Sequence, residues 1–152
     1  MSKEYEFIKQ RLGPCGLHCG KCFAFKGGEI QTSSKQLEKT LGNFAVYAKR
    51  FSEVLEESAF AQYPAFNEFL HYLTTTECSG CRTGKCMLFK TCGVQPCSAE
   101  KRVDFCFECE QFPCKHTGFD EHLYKRYVAI NQHIQKIGIE AYYEEIKDQS
   151  RY

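Results

Sequence analysis

Apolar positions recur at helical spacing over two long stretches of the chain, and nowhere do they alternate as in a strand for more than a few residues. Between 33 and 75, Leu37, Leu41, Phe44, Ala48, Phe51 and Leu55 are separated by steps of four and three, which places them on one face of a helix. Ser33 and Ser34 are natural N-caps for it, because a hydroxyl accepts from the free N–H groups of a first turn. Pro64 suits the first position of a following helix, where its missing N–H has no helical partner to lose. Phe66, Phe69, Leu70 and Leu73 supply that helix with an inner face. A second stripe, Phe119, Leu123, Tyr127, Ile130, Ile134 and Ile137, marks a helix that Asp120 can cap and Gly138 can stop. Ile139, Tyr142 or Tyr143, and Ile146 then line a short last helix.

These patterns predict a mainly α fold: a small helical domain with irregular, cysteine-rich zinc-knuckle segments. The first stripe is too short for a coiled coil and reads as ordinary helix packing. At 152 residues the chain is expected to form a single domain, 1–152. Along it lie an N-terminal cysteine knuckle at 11–28, helices at 33–75, a cysteine-rich metal module at 78–118 and C-terminal helices at 119–148.

Composition alters the picture in one respect, the eleven cysteines. Cys15, Cys19 and Cys22 form one group; Cys78, Cys81, Cys86, Cys92, Cys97, Cys106, Cys109 and Cys114 form another. The first ten residues are too charged for a secretory segment, and no stretch approaches the roughly 20 apolar residues of a membrane helix. The expected location is therefore cytoplasmic, where thiols stay reduced. An odd cysteine count also fits a disulfide framework poorly. Thiols this close then point to metal. All eleven are candidate ligands, and two or three Zn²⁺ ions are the expected cofactor. Cys86 and Cys92 are the two best suited to serve instead as small buried hydrophobes.

Spacing leaves the pairing open. Cys78-Ser-Gly-Cys81 and Cys106-Phe-Glu-Cys109 are two Cys-x-x-Cys pairs that can share one tetrahedral site. Alternatively Cys78, Cys81, Cys86 and Cys92 close one site and Cys97, Cys106, Cys109 and Cys114 another. The N-terminal trio then needs a fourth ligand from Cys97, Cys114, His18 or His116. Gly16, Gly20 and Gly93 each follow a cysteine and Gly80 precedes one, so the chain can turn sharply beside sulfur. Pro14, Pro96 and Pro113 each precede a cysteine and stiffen the approach to the turn.

The run Cys15-Gly-Leu-His-Cys19-Gly-Lys-Cys22, with Cys78-Ser-Gly-Cys81 and Cys106-Phe-Glu-Cys109-Glu-Gln-Phe-Pro-Cys114, resembles a family of small cysteine-rich bacterial and archaeal proteins described as a domain of unknown function. Cys92-Gly-Val-Gln-Pro-Cys97 is similar to that family's middle cysteine block, and Ile137-Gly-Ile-Glu-Ala-Tyr-Tyr-Glu-Glu145 to its C-terminal helix. The resemblance implies zinc binding through Cys15, Cys19, Cys22, Cys78, Cys81, Cys97, Cys106, Cys109 and Cys114. It implies no catalytic residue.

The remaining chemistry is thin. No Ser-His-Asp order, phosphate loop or dinucleotide fingerprint is present. An all-cysteine set favours closed, structural coordination over a catalytic ion, which keeps an open position. The Cys-x3-Cys-x2-Cys spacing at 15–22 matches radical-SAM cluster ligands, but that chemistry needs a large α/β barrel. The 20 basic and 19 acidic residues nearly balance, and thiolate–zinc loading turns the sum mildly acidic, so a general grip on nucleic acid is not expected. The functional expectation is a non-enzymatic zinc-binding protein whose metal is structural, acting as a protein-interaction or regulatory module with an unknown protein partner. The alternative is an iron–sulfur or thiol-redox protein, because four thiolates suit either metal.

Overall fold

The computed structural model describes residues 2–83 and 86–152. Seven α-helices and no strand are found among them, so the chain is mainly α. The helices are α1 (Lys3–Arg11), α2 (Glu29–Leu41), α3 (Phe44–Val54), α4 (Tyr63–Thr74), α5 (Val94–Lys101), α6 (Glu121–Ile137) and α7 (Ile139–Ile146). Among the described residues no helix is long and apolar enough to cross a membrane. The chain divides into two compact units. One joins the residues up to Cys22 with Cys78–Tyr152 and holds every cysteine; the other is Phe23–Glu77.

In the cysteine-bearing unit, α1 begins at Ser2, whose hydroxyl accepts from the Tyr5 N–H at 3.0 Å. Glu4 and Glu6 lie in its first turn and Lys9 and Arg11 in its last, the polarity that complements a helix dipole. The apolar periodicity of this segment is short, and the helix was not expected from it. Asp120 caps α6 as expected, accepting from the Leu123 N–H at 2.9 Å. Gly138 (φ +84°) ends α6 and starts α7 in a conformation that strains any residue with a Cβ. Tyr127, Asn131 and Ile134 of α6 and Ile139, Tyr142 and Tyr143 of α7 are buried. One core joins Ile8, Leu12, Phe105, Ile134, Ile139, Tyr142 and Tyr143; a second gathers Cys15, Leu17, Val94 and Tyr127.

In the other unit the expected single stripe is divided. Gly42 (φ +52°) closes α2 and Asn43 opens α3, so Leu37 through Leu55 do not share one helix face. Leu37 and Leu55 are exposed. Gly28 is its N-cap, the helix begins at Glu29, about one turn before Ser33, and Ser34 is buried in its interior. The inward positions of α2 are polar. Gln31 Nε2 donates to the Thr76 carbonyl at 2.5 Å, and Gln31 Oε1 accepts from the Gly27 N–H at 2.8 Å. These bonds tie the start of α2 to the end of α4 without apolar side chains. Pro64 sits in the first turn of α4 as expected, but of its four proposed inner residues only Leu70 is buried. Phe44, Phe51, Phe60 and Tyr63 form an aromatic cluster, with the Phe44 and Tyr63 rings 5.1 Å apart.

Candidate metal centre

Short turns carry the thiols. In both Cys19–Cys22 and Cys106–Cys109 the N–H of the second cysteine donates to the carbonyl of the first, at 2.9 and 3.1 Å. Each is a single 3₁₀ turn, so the two sulfur-bearing residues of each pair leave the chain side by side. The Cys15 loop is closed by the Gly16 N–H to the Gly13 carbonyl at 2.9 Å and the Gly13 N–H to the Leu17 carbonyl at 2.8 Å. Gly16 (φ +82°) also faces α6 so closely that a Cβ would stand 2.5 Å from Ile130 Cγ2. The Cys106 N–H donates to the Pro14 carbonyl at 2.8 Å, which joins the two knuckles through backbone. Gly93 serves space rather than conformation: a Cβ there would collide with the His116 carbonyl, so segments 91–93 and 116–118 lie flat together. That contact brings the start of α5, with Cys97, beside the loop that carries Cys114.

Among the described residues no three His, Cys, Asp or Glu side chains already stand in the arrangement that would enclose an ion. The thiols are nevertheless gathered into two groups. In the first, Cys19 Sγ and Cys81 Sγ are 3.7 Å apart. A Cβ placed on Gly13 would stand 3.3, 3.4 and 3.6 Å from the sulfurs of Cys15, Cys19 and Cys81, so three sulfurs surround the space this glycine leaves open. Cys22, Cys78, Cys86 and Cys92 line the same small cavity, about 30 Å³ in volume, closed by Leu17, Leu88 and Phe89. The Tyr152 hydroxyl donates to Cys22 Sγ at 3.8 Å. In the second group, Cys106 has the thiols of Cys114, Cys97 and Cys109 near it, and Cys97 has those of Cys114 and Cys109 together with Lys101 and Glu100. Cys97, Cys106, Cys109 and Cys114 thus lie near one another. Cys81 lies beside Cys15 and Cys19 of the N-terminal trio.

Burial dominates the electrostatics. It pushes the Cys15 thiol up to about 12 and the Cys106 thiol up to about 11. The hydrogen bond with Cys81 lowers Cys19 to about 6, and the same bond, with burial, raises Cys81. A second thiolate in this cavity without a cation would face both desolvation and like charge. The Tyr127 hydroxyl is fully buried and has no hydrogen bond of good geometry. Burial raises it, and the thiols of Cys106 and Cys114 beside it raise it further.

Three residues that spacing did not single out shape these loops. Asn131 of α6 is fully buried; its Nδ2 donates to the carbonyls of Cys15 (2.8 Å) and Tyr127 (2.9 Å), and its Oδ1 accepts from the Phe107 N–H at 3.1 Å. It thus fastens both knuckles to one helix. Arg82, next to Cys81, donates from Nε to the Lys9 and Leu12 carbonyls and from Nη2 to the Asp104 carbonyl, at 2.7, 3.1 and 2.8 Å. Its guanidinium lies 4.7 Å from the centre of the Phe105 ring. Gly13 is the third. The one legible signal was a polar Asn in the middle of an apolar stripe.

Among the described residues no histidine lines the thiol cavity. His18 is buried, its Nδ1 has no hydrogen-bond partner, and burial with the charge of Lys21 lowers it to about 4. It packs edge-on against Tyr143 and does not line the thiol cavity. His116 contributes its carbonyl to the contact with Gly93. His71 pairs with Glu38 at 2.9 Å on the surface, and His133 with Glu145 at 2.7 Å.

Residues 11–119 match the family described as Protein of unknown function (DUF3795). The chain belongs to that family. The matched span takes in every cysteine, both thiol groups and the whole Phe23–Glu77 unit. No curated protein and no solved structure matches the chain.

Proposed function

We propose that this member of the family is a zinc-binding protein whose metal is structural and whose role is to engage a protein partner. The convergence of Cys15, Cys19 and Cys81 around Gly13 carries the reading. Zinc–thiolate bonds are about 2.3 Å long, so the edge of a ZnS₄ tetrahedron is about 3.8 Å. The 3.7 Å between Cys19 and Cys81 is close to that length. The residues fit the group in a second way, since a glycine leaves a cradle beside the sulfurs that a Cβ would fill. The buried Tyr127 hydroxyl supports the second set, as a donor with no good partner aimed at Cys106 and Cys114, where thiolate sulfur would accept. Bound zinc would supply folding free energy, on the order of 10 kcal/mol per structural site, to loops that have little apolar core of their own.

Partner binding is supported by a row of aromatics on α4. Phe66, Phe69 and Tyr72 keep 43, 61 and 48 % of their surface exposed, at a spacing that sets them along one side of the helix. A reducing, cytoplasmic setting would keep the thiols competent. The second reading, an iron–sulfur or thiol-redox protein, draws on the same sulfur pair. Elemental analysis of protein purified natively and without oxygen separates the two. Stoichiometric zinc in a colourless protein is the expected result; iron, inorganic sulfide and broad visible absorption would replace the zinc reading with the second.

A further inference from the structure

Eleven thiols divide unevenly between the two groups. Four belong with Cys97, and seven line the cavity beneath Gly13. Seven is an awkward number for separate tetrahedral ions. One ion leaves three thiols idle in a buried space, and two separate ions require eight. Two ions that share one bridging thiolate require seven. We propose that the cavity beneath Gly13 is a binuclear site in which two divalent ions share the Cys81 thiolate, so that the chain carries about three ions on its eleven cysteines.

The observations that select Cys81 are positional. Its sulfur is 3.7 Å from that of Cys19, it borders with Cys15 and Cys19 the space that Gly13 leaves open, and Cys86 is near it. Its contact with Cys19 joins two sulfurs that lie 62 positions apart in the chain. Cys22 and Cys78, which line the same cavity, are terminal ligands. Sharing also answers the charge problem. Seven thiolates and two dications sum to −3, whereas seven thiolates around one dication sum to −5. Arg82, bonded to three backbone carbonyls directly beside Cys81, and Arg151, which lines the cavity, offset part of the remainder. Loading releases a proton from each ligand that is still a thiol, so the complete site exchanges up to seven protons for two ions.

The inference rests on the metal–thiolate reading, and a single measurement keeps the two apart. The whole chain is loaded with an NMR-active cadmium isotope, and its metal-to-protein ratio and cadmium spectrum are recorded. The expected result is about three ions per chain and three thiolate-type resonances, two of them split by coupling to each other through the shared sulfur and one unsplit. Cys109→Ser should remove the unsplit resonance and leave the coupled pair; Cys81→Ser should abolish the coupling. Because the coupling is read on the unmutated protein, misfolding of either variant does not obscure the answer. Two or three mutually uncoupled resonances would overturn the bridge while leaving thiolate metal binding in place. A protein that takes up no cadmium would overturn both.

Discussion

Gly13 carries no chemistry, yet its missing side chain governs how three sulfurs meet. An added methyl would stand within 3.3–3.6 Å of all of them, tight against Cys15 and Cys19. Gly13→Ala should weaken metal retention about tenfold, an overpacking cost of about 1–2 kcal/mol, while leaving the helical circular dichroism of the loaded protein unchanged. Competition with a chromogenic chelator measures it, and retention equal to wild type would remove Gly13 from the site. Asn131 acts through backbone. Asn131→Leu keeps the volume but strands the Phe107 N–H and the Cys15 carbonyl in the interior. A loss of about 2–3 kcal/mol is expected in urea unfolding, since each buried group left unpaired carries its own desolvation cost.

Helices α1, α6 and α7 form a frame on which the cysteine turns hang, and the links to that frame are polar. Arg82 spans the end of α1 and the Asp104 carbonyl with a planar fork that an ammonium does not reproduce. Arg82→Lys should cost about 2 kcal/mol of stability and lower the thermal midpoint, with no change in metal stoichiometry. The corner between α6 and α7 depends on Gly138. Gly138→Ala is expected to destabilise the protein by about 1 kcal/mol or more, because φ of +84° is strained for any residue with a Cβ. The signals for α6 and α7 were plain in the sequence because cap, stripe and stop agree there. Those for α2 and α3 misled. Their heptad-like spacing is real, but Gly42 breaks the backbone between them, and the inward side of α2 holds Gln31 and Ser34 instead of leucines. Helix α5 lay hidden among cysteines, with no apolar face to announce it.

Across the whole chain, metal and apolar burial stabilise different regions. Every thiol belongs to the unit that joins the residues up to Cys22 with Cys78–Tyr152, whereas Phe23–Glu77 has none and rests on its own aromatic cluster and the bonds of Gln31. Chelation should therefore raise amide exchange first in residues 78–118 and around Cys15–Cys22, while α2 and α4 keep their protection. Hydrogen-exchange mass spectrometry before and after chelation reads this directly; equal loss in both units, or no loss in either, would contradict it.

The amino-acid sequence alone determined the helical class, the cap at Asp120, the proline in the first turn of α4, the corner at Gly138 and the grouping of thiols on tight turns. All of these depend on residues within a few positions of one another, where period and stereochemistry are decisive. It did not determine which thiols meet. Cys15 and Cys81 lie 66 positions apart in the chain, and their approach depends on a glycine small enough to admit three sulfurs, on an asparagine bridging two loops and on an arginine gripping three carbonyls. Such contacts are set by the packing of distant segments, and only tertiary structure decides them.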